Sequence, residues 1–167
     1  RLGDPDEIIR KRSVEKCLKV VNLTKPLHPF AYIVHFDGEI RGRMPACNLD
    51  RWAEALDRSA AELLLSGVEA NRFCIETLEY PFEHVEQIVF RHGLSVCLDV
   101  GHLAFYGYPI RDSLDRYLGQ CRVIHLHGHV NGTDHKGIDL LNSGILSMLM
   151  ERLGRTGESN RVMTMEV

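Results

Sequence analysis

Short runs of uninterrupted apolar residues alternate along this chain with longer segments of helical periodicity, and this alternation restricts the fold more than any other feature. The stretches "PFAYIVHFDG", "RFCIETLEY", "LSVCLDV", "RVIHLHGHV" and "RVMTMEV" each read as a strand buried on both faces. Between them lie amphipathic segments. The first, "DPDEIIRKRSVEKCLKVVNL", is expected to be a helix with Asp4 as its N-cap and Pro5 at the first helical position. "NLDRWAEALDRSAAELLLSG" is the clearest helix: Asn48 caps it, Trp52, Leu56 and Leu63 to Leu65 form its apolar stripe, and Gly67 stops it. Further helices are expected from about Pro81 to His92 with Gly93 as the stop, over "IRDSLDRYLGQ", and over "GILSMLMERLG" after a loop "NGTDHKGIDLLN".

Buried strands regularly separated by helices must run parallel, with the helices covering the sheet. The fold class is therefore α/β, and the expected architecture is part of a parallel (β/α) barrel, about five strands of it. A closed eight-stranded barrel takes about 250 residues, and this chain has 167. Further strands are thus expected before Arg1 and after Val167. Residues 1–167 read as a single domain, and 44% apolar composition is enough for a core.

A net charge of −3 and a pI near 6.3 give no basic footprint for neutralising a phosphate backbone, so nucleic acid is not the expected partner. Cys17, Cys47, Cys74, Cys97 and Cys121 are odd in number, scattered, and form no C-x-x-C pair. A reducing, cytoplasmic setting is the expectation, with no leader pattern and no membrane-spanning apolar run.

Chemistry in such barrels sits at the C-terminal ends of the strands. Each strand here ends on a possible ligand: His35, Glu76, Asp99, His125 and Glu166. Strand alternation puts His125 and His127 on one face, with Leu126 on the other. Neighbouring carboxylates repel when buried, and a divalent cation removes that conflict. Carboxylate plus imidazole suits manganese, zinc, iron or cobalt. His102, three residues past Asp99, and the adjacent Asp134 and His135 can supply ligands for a second ion or contacts to substrate. One strand-end acid is most simply a loop residue; five of five is a pattern. His28, His84 and His92 read as solvated, "RKRSVEK" as a solvated helix face, the methionines of "SMLMERL" as core, and Glu79 as a loop charge; His129 is unassigned.

"CIETLEY", "CLDVGH", "VIHLHG" and the terminal "MEV" resemble the xylose-isomerase-like TIM barrels, a superfamily of sugar isomerases and epimerases and of endonuclease IV-type phosphodiesterases. The resemblance implies one Mn-type ion held by Glu76, Asp99, His125 and Glu166. Its endonuclease branch implies further metal ligands at His35, His102, Asp134 and His135, although that branch has Asp-x-His where this chain has adjacent "DH". "YPFEHVE", "LSVCLDVGHLAFYGY", "RVIHLHG" and "NGTDHKGIDLL" look like the cobamide-remodelling phosphodiesterases, which cleave the nucleotide loop of corrinoids.

Two readings of function follow. The first is a metal-dependent phosphoester hydrolase acting on a small-molecule phosphoester such as a cobamide. In it a metal-bound water attacks phosphorus, with Glu76, Glu166 and His127 as catalytic groups and His127 contacting phosphate or the leaving group. The alternative is a metal-dependent sugar or sugar-phosphate isomerase or epimerase, with Glu76 and Glu166 as acid and base on opposite faces of the substrate.

Overall fold

The computed structural model describes residues 1–155 and 160–166. Contacts divide the chain into two compact units, one of residues 1–76 and 80–95, the other of residues 77–79 and 96–167.

The first unit opens with α1 (Glu7–Thr24), whose N-cap is Asp6, not Asp4: the Asp6 carboxylate accepts from the Ile8 and Ile9 amides. Asp4 does something else. It is buried, binds Arg1, and accepts the Asp6 amide through Oδ1. The basic run after it is not uniformly solvated either. Arg10 is fully buried, donating to Ser59 Oγ at 3.0 Å and pairing with Glu7 and Glu62, because a guanidinium can be buried only where its donors are met. Strand β1 (Tyr32–Val34) pairs in parallel with β2 (Phe73–Glu76), Val34 opposite Ile75. Between them α2 (Leu49–Leu64) is capped by Asn48, which accepts from the Arg51 amide, and buries Trp52, Leu56, Ala60 and Leu63. Trp52 meets Tyr80 edge to face at 5.2 Å. The segment from Pro81 is a 3-10 turn followed by α3 (Glu86–Arg91), stopped at Gly93, whose φ of +65° suits glycine. His92 is not solvated: its Nε2 lies 2.9 Å from Asp57 with the side chain 16% exposed.

Strand β3 (Ser95–Asp99), in the second unit from Val96 on, pairs there in parallel with β4 (Cys121–Leu126), and β4 with β7 (Val162–Met165). This register sets Asp99 directly beside His125, and the Glu166 amide extends the ladder by donating to the Leu126 carbonyl. Immediately after β3 comes α4 (Val100–Phe105), where the apolar pattern gave no element, and α5 (Ile110–Tyr117) follows it on the helix expected over "IRDSLDRYLGQ". The loop after β4 is a hairpin, β5 (Gly128–Val130) antiparallel to β6 (Thr133–Lys136), turning through Asn131 and Gly132. Both turn residues have positive φ, +51° and +74°, the conformation of a type I′ hairpin turn. Helix α6 (Ser143–Arg155) buries Leu149, while Met150 is exposed, so its methionines are not uniformly core. No described helix is long and apolar enough to cross a membrane.

Candidate metal centre

Asp99 is the hub. It is the last residue of β3 and the N-cap of α4, its Oδ1 accepting the His102 amide at 2.7 Å. Thr77 fixes it from the other side: Thr77 Oγ1 accepts the Asp99 amide at 2.9 Å, and the Thr77 carbonyl lies 3.1 Å from His102 Nδ1. His102 Nδ1 can donate to that carbonyl, and Nε2 faces Asp134 Oδ2, 3.8 Å away.

Around the Asp99 carboxylate, which has no solvent exposure, stand three imidazoles. His127 Nε2 is 3.1 Å from Oδ1; His102 Nδ1 and His125 Nδ1 are 3.3 and 3.7 Å from Oδ2. Burial raises the carboxyl pKa, but the side-chain contacts of His125 and His127 outweigh it and hold the group far below the usual carboxylate range. For His127, burial disfavours the charged ring while Asp99 favours it, and the net direction is upward.

His125 Nδ1 also lies 3.0 Å from Glu166 Oε1, and His135 Nε2 lies 3.3 Å from Glu166 Oε2. Ligand atoms of Asp99, His125 and Glu166 lie within 4.8 Å of one another. So do those of Asp99, His102, His127 and His135. The adjacent "DH" also has a structural explanation. Successive strand residues ordinarily face opposite sides, but His135 has φ +50°, and the broken alternation lets Asp134 reach His102 and His135 reach Glu166. Burial raises the Asp134 pKa, and the neighbouring His135 reverses this to a net lowering.

In the first unit, His35 and Glu76 come together: His35 Nε2 is 2.7 Å from Glu76 Oε2, with Glu76 buried and the His35 side chain half exposed. His127, expected to contact substrate, has no exposed surface. Sequence reasoning passed over Thr77, which follows Glu76 directly, and Gly101, between Asp99 and His102. A Cβ on Gly101 would lie 2.5 Å from the His127 ring, so only glycine admits that ring here.

The donor set fits a divalent cation. Asp99 Oδ2 and His127 Nε2 are buried without a hydrogen-bond partner among the described residues. Each such group costs about 1–3 kcal/mol unless something else satisfies it. A cation between carboxylate and imidazole ligands would do so.

The family model of the xylose isomerase-like TIM barrel matches residues 1–165, and the chain belongs to that family. The fold is α/β, an incomplete barrel of this type with two parallel strands in the first unit and three in the second. No curated protein matches the chain. Among solved structures it is similar to the apo form of 3-keto-D-glucoside 4-epimerase from E. coli (TM-score 0.68, 13% identity, 99% of this chain and 66% of that one). It is also similar to an L-ribulose 3-epimerase (TM-score 0.66, 16% identity, 99% and 57%). A third similar structure is the IOLI protein with a bound zinc atom (TM-score 0.66, 16% identity, 97% and 62%). The chain thus spans about three-fifths of the length of these structures.

Proposed function

We propose that the full protein is a divalent-cation-dependent sugar isomerase or epimerase. The observation that carries this is the convergence of Asp99, His125 and Glu166 at the ends of adjacent parallel strands, in a family whose similar structures include two sugar epimerases and a zinc-bound protein. Asp99, His125 and Glu166 hold the ion. The bound cation supplies Lewis acidity that polarises a hydroxy-carbonyl pair. Glu76 and Glu166 move the proton at carbon. Each has an imidazole to orient it, His35 for Glu76 and His125 for Glu166.

The test is solvent deuterium exchange at the carbon beside the carbonyl of a panel of ketoses. The wild-type protein is expected to catalyse it, and Glu166→Gln to lower the rate about 100- to 10,000-fold, the range for a lost general acid or base. No exchange on any sugar would remove the isomerase reading.

One observation favours a second reading, phosphoester hydrolysis, for which the sequence resemblance alone names a cobamide-type substrate. His102, Asp134 and His135 add ligands beyond those one ion needs, as in-line displacement between two ions would use. Release of phosphate-ester product from a cobamide, without deuterium exchange on sugars, would select it.

A further inference from the structure

His129 has no part in the reaction proposed above, yet its ring does not stand alone. Helix α4 and strand β5 both begin at the cluster around Asp99 and run away from it. Phe105 ends α4, six residues past Asp99, which is about 9 Å along a helix. His129 lies in β5, two residues past His127, which is about 7 Å along a strand. There the two elements meet again: the ring centroids of Phe105 and His129 are 5.6 Å apart, with the planes inclined at 63°. Tyr106 joins them, 4.8 Å and 73° from Phe105, and its ring reaches back to that of His102 at 5.8 Å. A row of rings thus leads outward from the buried imidazoles, and Phe105, Tyr106 and His129 are each half-buried.

Packing α4 against the hairpin needs only apolar bulk, and this group offers more. Two rings standing steeply against Phe105 make an apolar corner. His129 sets polar atoms at its rim, because neither of its ring nitrogens has a hydrogen bond or ion pair among the described residues. A neutral imidazole presents one donor and one acceptor. Aromatic lining with a few placed polar groups is the usual make-up of a small-molecule site. An apolar face edged by a donor and an acceptor matches a pyranose, which carries C–H groups on its faces and hydroxyls around its rim. A sugar ring held over the cation by its hydroxy-carbonyl pair leaves this corner to whatever is joined to it.

We infer that Phe105, Tyr106 and His129 form a second sugar subsite, and that the substrate is a two-ring sugar. One ring sits at the cation; the next stacks in the corner at Phe105 and exchanges a hydroxyl hydrogen bond with His129. The inference rests on the isomerase or epimerase reading for the chemistry at the first ring.

The experiment is isothermal titration of the full-length, Mn²⁺-loaded protein with cellobiose, maltose and melibiose beside glucose and galactose. At least one disaccharide is expected to bind about 10-fold more tightly than its component monosaccharides, the scale of one aromatic contact. Phe105→Leu fills the same space without a flat face, and His129→Phe keeps the ring without its nitrogens. Each is expected to erase most of that preference while the protein still retains its cation. A preference that survives both substitutions overturns the inference. So does adenosine binding with the same dependence on Phe105 where no disaccharide binds, which points to the phosphoester reading. If no disaccharide binds more tightly than its components, ketose deuterium exchange separates the cases: with exchange this inference fails alone, and without it the sugar reading fails too.

Discussion

Asp99→Asn lowers divalent-cation affinity by at least about 100-fold while leaving helix α4 capped. Two roles meet in this side chain, and the substitution separates them. Asn caps a helix as well as Asp does, so the bond from the His102 amide survives. What goes is the charge that three imidazoles surround. Loss of an outer partner alone lowers metal affinity 10- to 100-fold, and removing a ligand lowers it further. Isothermal titration with Mn²⁺ measures it. In chelator, the same variant has a pH signature. The Asp99 carboxyl is held far below its usual range when folded, so its contribution to stability is present above the unfolded carboxylate value of about 3.9 and is lost as pH falls below it. The stability gap between wild type and Asp99→Asn is therefore expected to be widest near neutrality and to narrow as the pH drops below about 4. Chemical denaturation at a series of pH values reads this directly. A gap that widened on acidification would show that the carboxylate is not the favoured form.

Gly101→Ala is the second large effect. Position 101 is in the first turn of α4, where Ala would ordinarily gain about 1 kcal/mol over Gly. Here the new Cβ would sit 2.5 Å from three atoms of the His127 ring. That ring is fully buried and held between Asp99 and His135, so it has nowhere to withdraw. Overpacking costs about 1–3 kcal/mol, more than the propensity gain, and the only relief is to push His127 off Asp99. The expected outcome is a lower melting temperature together with a 10- to 100-fold loss of cation affinity. A variant of wild-type affinity would mean that His127 does not support Asp99.

The strand ends were legible because their signal is coarse: an apolar run that stops on an acid or imidazole places that residue at the end of β2, β3 or β4 whatever the exact boundaries. Asn48 and the glycine stops were legible for a similar reason, since capping is local chemistry. Helix α4 was not, because six residues are too few to show periodicity and its cap, Asp99, reads as a candidate ligand where the structure shows an N-cap. The β5–β6 hairpin carries the Asn131–Gly132 turn signal, but its strands, "GHV" and "TDHK", show no apolar alternation to go with it. Arg10 looked solvated within a basic run because its distant partners, Ser59 and Glu62, are joined to it only by folding. The site was visible as a set of residue types. Its internal wiring through Thr77, Gly101 and the Gly128 carbonyl depends on backbone atoms, which a sequence does not display.

The central claim is that Asp99, His125 and Glu166 hold a divalent cation, and metal content tests it most directly. Plasma mass spectrometry on the full-length protein, loaded with Mn²⁺ and freed of excess by gel filtration, is expected to find at least one ion per chain, and a clear loss in Asp99→Asn. No retained ion in the wild type, or equal content in the two proteins, would contradict it.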